Sequence, residues 1–323
     1  MATARKPAAC LSEITEHISP ASLKREFQGD ASANERTLHV LQWNILAQGL
    51  SNPHRNFVRV KDETVAFATR KWRILEQILV NQPDLCSLEE VDTYECFLKH
   101  RLPNYGYTCF FTPKPKSPCL VFQNDVANFK GADGVLLCYK THLFEEIQRY
   151  QYEQSKDDTT GKPFFAALEL KHKPSSTSIV FVGTHLKAKI PFAHLRASQT
   201  QAILQYLSEH YSQQSHVIIA GDFNGGSNEP FYDAIRQAGF SSAYRTFLND
   251  QEPPFTTWKF RERDGVEIDQ CGTIDYIFYK PGGFAPVAIL KLPSKEAIGP
   301  NGLPSNEYPS DHLAIETIFS IKS

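Results

Sequence analysis

Six short stretches of the chain place oxygen or imidazole side chains where an apolar run stops. The run Val217-Ile218-Ile219-Ala220 leads straight into Gly221-Asp222-Phe223-Asn224. Four apolar residues in a row suit a buried strand, so a carboxylate and a carboxamide two residues apart emerge at a sheet rim. Likewise LHVLQWN ends on Asn44, DLCSLEE on Glu90 and SIVFVGTH on His185, while Asp311-His312 opens the last apolar run. Asp275 lies inside TIDYIFY, and a buried carboxylate needs a partner because an unpaired buried charge is costly or becomes neutralised. Singly, each has a plain explanation. A Gly-Asp-x-Asn turn bonds its own backbone, one of Glu89 and Glu90 is expected to be merely solvated, and a histidine after a strand is commonly structural. Six such positions converging on one rim would instead build a single pocket of carboxylates, amides and imidazoles.

The elements that must position them follow a strand-rich rhythm. Strands are expected at 38–43, 84–90, 134–140, 164–171, 178–185, 216–221, 272–280 and 312–319, from apolar runs bounded by polar or turn residues. Helical spacing covers 64–80, stopped by Pro83, and also 191–211 and 229–239. EQSKDDTTGK (153–162) is expected to be a solvated connection. Numerous apolar strands with few helices imply two packed mixed sheets flanked by helices, a four-layer α/β/β/α sandwich. Residues 1–36 show no sustained period and are expected to be a flexible tail, followed by one catalytic domain over 37–323.

The totals agree with a large core: 323 residues, 41% hydrophobic, with 22 Phe and 13 Tyr. A net charge of −2 advertises no global basic field for a long polyanion. The seven cysteines are odd in number and form no C-x-x-C pair, which suits reduced thiols in an intracellular protein. No apolar run reaches the ~18 residues of a membrane span. Glu13 and Glu16 argue against a presequence. A cytoplasmic monomer without membrane association is expected, with a mitochondrial pool left open.

Together QWN (42–44), LEEVD (88–92), GTHLKAK (183–189), GDFN (221–224), TIDYIFY (273–279) and PSDHL (309–313) resemble the endonuclease/exonuclease/phosphatase superfamily, with its DNase-I-like fold. The resemblance spans about residues 37–320 and implies phosphate-ester cleavage with Mg2+. It implies that Glu90 is the main metal ligand, supported by Asn44, with Asp311 serving a second metal or its water shell. It further implies that Asp222 activates water, Asn224 and His185 contact the transferring group, and His312 binds a phosphoryl oxygen with Asp275 fixing its tautomer. Two departures are Glu89, where the superfamily pattern has Gln, and Lys189, where Arg is expected. Lys cannot make the two-pronged phosphate contact of Arg.

The longer stretches PKPKSPC (113–119), EPPFTTWKFR (252–261) and IGPNGLPSNEYPSDHL (298–313) resemble the branch of that superfamily acting on NADP(H). That resemblance implies a phosphatase removing the 2′-phosphate of NADP+ and NADPH, with Lys114, Lys187, Lys189 and Arg261 binding the dinucleotide. The alternative is a 3′-exoribonuclease releasing AMP from poly(A), with RNA as partner. A binding module without catalysis is disfavoured, because both the metal-site Glu90 and Asp222 are present.

Overall fold

The computed structural model describes residues 7–51, 56–122, 131–151 and 164–323, so the connection expected at 153–162 lies outside the described residues. In chain order the strands are β1 Phe27–Gly29, β2 Thr37–Asn44, β3 Leu85–Glu89, β4 Tyr107–Pro113, β5 Gly134–Lys140 and β6 Phe144–Gln151. They continue as β7 Phe165–His172, β8 Thr177–His185, β9 Val217–Asp222, β10 Ser241–Ser242, β11 Thr257–Arg263 and β12 Val266–Gly272. The last are β13 Asp275–Tyr279, β14 Phe284–Leu290 and β15 Ile315–Ile321. The longer helices are α1 Pro7–Thr15, α2 Phe67–Leu79, α3 Ala193–Tyr211 and α4 Pro230–Gln237. Among the described residues one sheet has the order β1-β14-β15-β2-β3-β5-β4, a second β10-β13-β9-β8-β7-β6, and β11-β12 form a separate hairpin. Parallel pairs β2/β3 and β8/β9 sit among antiparallel ones, so both large sheets are mixed.

Side-chain parity along the strands builds the layers and aims the polar ends. On β2, Leu38 and Val40 enter the core between the sheets, while Leu41 and Trp43 pack outward with Ile74 and Ile78 of α2. On β9, Ile218 and Ala220 face inward, and Val217 and Ile219 meet Ile203 of α3 and Phe231 of α4. The four-layer α/β/β/α arrangement follows. Because strand side chains alternate with a period of two, extending the inward rows to the strand ends puts Gln42, Asn44, Glu89 and Asp222 on the inter-sheet side. Registers bring those ends level: Asn44 opposite Glu89, His185 opposite Asp222, and Asp222 opposite Asp275.

Several elements differ from expectation. Residues 11–36 do not hang free. Ile14 is fully buried in the outer core with residues of α2, His17 stacks on Trp72 at 4.3 Å, and β1 pairs with β14. Isolated apolar residues without a helical period suffice to seal one face of α2. The helix expected over 64–80 is interrupted at Ala66, whose extended ψ of 133° separates Asp62–Val65 from α2. The β11-β12 hairpin was not anticipated, although Asp264-Gly265 joins two alternating runs and both residues have positive φ (54° and 77°), the mark of a tight hairpin turn. Among the described residues no helix is long and apolar enough to cross a membrane.

Gly183 on β8 shows how closely the sheets approach below the site. A Cβ there would lie 2.5 Å from Leu137 Cδ2 and 2.7 Å from Ser87 Oγ. Gly183→Ala should therefore lower the unfolding free energy by about 1–3 kcal/mol, the usual range for overpacking. A urea melt checks this, and an unchanged midpoint would mean the sheets can part there without loss.

Candidate active site

The rim is assembled from strand ends and the residues just past them. Asn44 is fully buried, and its Nδ2 donates to Glu90 Oε1 at 3.0 Å and to Asp222 Oδ2 at 3.0 Å. Its Oδ1 accepts from the Leu46 amide at 3.0 Å, so one carboxamide joins both sheets. Glu90 follows β3 with φ 57°, a left-handed conformation uncommon for a non-glycine residue. That turn lifts its carboxylate to the partly exposed rim, where Oε2 accepts from the Ala47 amide at 3.0 Å. Burial and then Asp311 raise its pKa.

Asp275 has the partner its position demands. His312 Nδ1 lies 2.9 and 3.2 Å from its two oxygens. Thr256 Oγ1 donates to Oδ2 at 2.6 Å and Gln42 Nε2 to Oδ1 at 3.1 Å. Burial alone would lower the pKa of His312, but Asp275, Asp311 and Asp222 outweigh it and push it up to about 10, so the ring is an imidazolium. Asp222 is shifted to about 7, chiefly by burial and then by Asp275. Its Oδ1 accepts from the Asn224 amide at 2.8 Å, and His185 Nε2 stands 3.6 Å from Oδ2. Burial, Lys114 and His312 drive the pKa of His185 well below normal, leaving a neutral imidazole. One side of Asp222 thus faces a cation and the other an uncharged ring.

Glu89 is not the solvated member of its pair. It is fully buried, accepts from Gln42 Nε2 at 2.8 Å and bonds Ser87 Oγ at 2.6 Å. Burial raises its pKa well above the carboxylate range, so it is held neutral. Sequence parity could have located it, since Glu89 continues the inward row of Leu85 and Ser87. Asn224 has φ 52° and donates through Nδ2 to the Leu186 carbonyl at 3.1 Å. These contacts tie the β8 and β9 loops together.

Of the basic residues expected around the pocket, Lys114 is half-buried and acts electrostatically on His185. Lys187 and Lys189 are exposed on the loop after β8, with Lys187 Nζ 5.3 Å from the centre of the Phe192 ring. Arg261 on β11 donates to Asn56 Oδ1 at 2.6 Å and to Gln270 Oε1 at 3.2 Å. Lys259, two residues earlier on the same hairpin face, bonds Asp311 Oδ2. Burial opposes ionisation of Asp311, yet Lys259 and His312 hold its pKa below normal. Its buried Oδ1 has no hydrogen-bond partner among the described residues.

Two donor sets fit a divalent cation. Ligand atoms of Asp222, Asp275 and His312 lie within 4.8 Å of one another, and Glu90 with the orphaned Asp311 oxygen offers hard oxygen donors of the kind Mg2+ takes.

Two buried arginines missed by the sequence reading hold this rim. Arg70 of α2 donates to the carbonyls of Val65, Ile45, Leu46 and Pro309 at 2.8–3.1 Å, joining the loops after Asn44 and before Asp311. Arg196 of α3 makes a two-pronged bond to Glu229, with both contacts at 2.7 Å. It also donates to the carbonyls of Lys187 and Lys189, both at 2.9 Å. An arginine in a helix gives no sequence signal that distinguishes a buried clamp from a solvated face.

A cleft of buried carboxylates with a paired imidazolium, at the shared end of two mixed sheets, defines a class of phosphate-ester hydrolases. Residues 41–312 match the model of the Endonuclease/Exonuclease/phosphatase family, and the chain belongs to that family. It is a metal-dependent phosphoesterase of nocturnin-like character. It is 37% identical to nocturnin of Xenopus laevis over 311 residues, covering 93% of this chain and 78% of that one. It is 35% identical to nocturnin of Homo sapiens over 314 residues, covering 94% and 70%. The structure of the human nocturnin catalytic domain with bound sulfate anion superposes with a TM-score of 0.73 at 30% identity, covering 92% of this chain and 98% of that one.

The Arg196 clamp yields a direct expectation. Arg196→Met removes charge-assisted bonds worth about 1.5–3 kcal/mol each. Amide exchange over residues 186–190 should then accelerate roughly 10–150-fold, while the centre of β9 stays protected. Equal acceleration in both places would mean global destabilisation instead of a freed loop.

Proposed function

We propose that this phosphoesterase is a Mg2+-dependent phosphatase that removes the 2′-phosphate of NADP+ and NADPH, giving NAD+ and NADH. The observation that carries the reading is the rim where Asn44 joins Glu90 to Asp222 beside the Asp275–His312 pair, combined with nocturnin similarity along nearly the whole chain. The sulfate bound by the human nocturnin domain has the shape of a phosphoryl group. The stretches 113–119, 252–261 and 298–313, which resemble NADP(H)-acting members, carry Lys114, which acts on His185, and the bonded pair Lys259 and Asp311, with Arg261 two residues further along the hairpin strand. A polynucleotide would favour a continuous basic path and a steep salt dependence, and the net charge of −2 lends it no field.

Glu90 is the main metal ligand in this reading, backed by Asn44, with the free oxygen of Asp311 facing the metal or its waters. Asp275 and His312 satisfy each other, and ligation by His312 would require losing a proton held up to about 10. When bound, Mg2+ supplies Lewis-acid stabilisation of the phosphoryl oxygens. Asp222 orients the attacking water and takes its proton, since a base shifted to about 7 is matched to neutral pH. The imidazolium of His312 donates through Nε2 to a non-bridging oxygen while Asp275 fixes Nδ1. Neutral His185 serves as a second donor, and the Asn224 amide keeps Asp222 aimed. Lys114, Lys187, Lys189 and Arg261 grip the remaining phosphates and the adenosine.

Asp222→Asn should reduce kcat by roughly 10²–10⁴-fold with little change in KM, and Glu90→Ala should abolish turnover in Mg2+. A drop in affinity with kcat intact would reassign Asp222 to binding.

The substrate is tested by offering NADP+, NADPH and oligo(A) separately, with and without Mg2+. Phosphate release from NADP(H), negligible shortening of oligo(A), and a roughly 10–150-fold lower kcat/KM in Arg261→Ala are expected. Rapid AMP release from oligo(A) with NADP(H) untouched would replace this reading with the exoribonuclease.

A further inference from the structure

The outer face of the seven-stranded sheet carries a row of three cysteines. Cys86 on β3 is the register partner of Cys138 on β5, and Cys138 is in turn the partner of Cys109 on β4. Cys109 and Cys138 bring their sulfurs to 3.4 Å. Cys86 and Cys138 are buried, whereas Cys109 is half-buried. It lines a cavity of about 520 Å³ together with Tyr94, Phe111 and Arg149. β4 is the edge strand of its sheet, hydrogen-bonded on one side only.

We propose that Cys109 and Cys138 form a dithiol that hydrogen peroxide oxidises reversibly to a disulfide, a modification site on the face of the sheet opposite the phosphoester cleft. Directly opposed Cβ atoms in an antiparallel pair lie about 4.5–5.5 Å apart, and a disulfide needs roughly 3.5–4.5 Å. Closure therefore draws two strands together by about 1 Å, which an edge strand can yield without breaking a second ladder. A cross-strand bond made under that strain is readily reduced again.

The positions divide the roles. The Cys109 sulfur, at the cavity, attacks one peroxide oxygen: an S–O bond forms, the O–O bond breaks, and the Cys109 proton leaves with the released hydroxide as water. The Cys138 sulfur then attacks the Cys109 sulfur: the S–S bond forms, the S–O bond breaks, and the Cys138 proton departs with the hydroxyl as a second water. Two thiols are oxidised and one peroxide becomes two waters. Burial, reinforced by Cys109, pushes the Cys138 thiol well above its usual range, so it is not the group that meets peroxide; what assigns it the second step is its sulfur's position 3.4 Å from that of Cys109.

The test treats the full chain with hydrogen peroxide, blocks remaining thiols and maps the peptides by mass spectrometry without reductant. The expected product is a Cys109–Cys138 linked pair lighter by two hydrogens. It should be reversed by dithiothreitol, absent in Cys109→Ser and Cys138→Ser, and retained in Cys86→Ser. The exposed Cys96 and Cys271 report that peroxide has acted. Oxidation of Cys109 to sulfinic acid with Cys138 still a thiol, or linkage of Cys138 to Cys86, would overturn the proposal. So would two unmodified thiols in a sample whose Cys96 and Cys271 are oxidised.

Discussion

The ion pair between Asp275 and His312 is what allows the rest of the cleft to exist. Glu89, Asp222, Asp275 and Asp311 are all buried at one end of the inter-sheet core, and Glu90 stands beside them. So many carboxylates taken from water would be prohibitive if all were charged and unpaired. The structure resolves the conflict by giving each a different environment. Glu89 is neutral, Asp311 is bound by Lys259, and Asp275 is bound by an imidazolium that also attracts Asp222 and Asp311. Only Asp222 and Glu90 are left with raised pKa values and an approach from the rim. Electrostatic relief and chemical readiness are therefore one arrangement: burial and then Asp275 raise the pKa of Asp222, and the neighbouring imidazolium restrains that rise.

That arrangement needs its loops held to a fraction of an ångström, and the two buried arginines supply this from opposite sheets. Arg70 gathers carbonyls from the loops that follow Asn44 and precede Asp311. Arg196 gathers carbonyls from the lysine-bearing loop after β8 and anchors on Glu229 beyond Asn224. Burial lowers the pKa of Arg70 to about 10, which still leaves it charged at neutral pH, so its donors stay in place. Guanidinium suits this task because its rigid fork presents several donors at once. The lysines themselves are exposed, Lys187 with its tip over the Phe192 ring, whereas the backbone that carries them is fixed.

What could be read from the chain follows from the period of two. Apolar rows ending on Asn44, Asp222 and His185 announce both the sheets and the faces on which those side chains emerge, and the buried position of Asp275 demands a partner, which is His312. The same period places Glu89 but not Glu90. The inward row ends at Glu89, but Glu90 reaches the rim only because φ there becomes positive, a local event that no pattern of residue types reports. The arginine clamps were invisible for a related reason: their partners are backbone carbonyls from distant loops, and carbonyls carry no sequence. The docking of residues 11–36 was hidden because Ile14 and His17 complete a surface made by α2 and form no periodic stripe of their own.

Under the proposed function the β11-β12 hairpin separates chemistry from recognition. It belongs to neither large sheet, yet Trp258 and Phe260 root it in the outer core while Lys259 and Arg261 share its other face. Lys259 reaches back to Asp311 at the reacting end, and Arg261 extends away toward Asn56. A strand rises about 3.3 Å per residue, so the backbone positions of these two cations are roughly 6–7 Å apart, and their side chains diverge from there. Under the proposed function one ribbon carries both the lysine that holds Asp311 and the arginine that meets a more distant charge of the substrate, while the sandwich beneath it supplies the hydrolytic groups. Under the proposed function substrate choice can change at Arg261 while the Lys259–Asp311 pair stays in place, which is how one fold carries different activities.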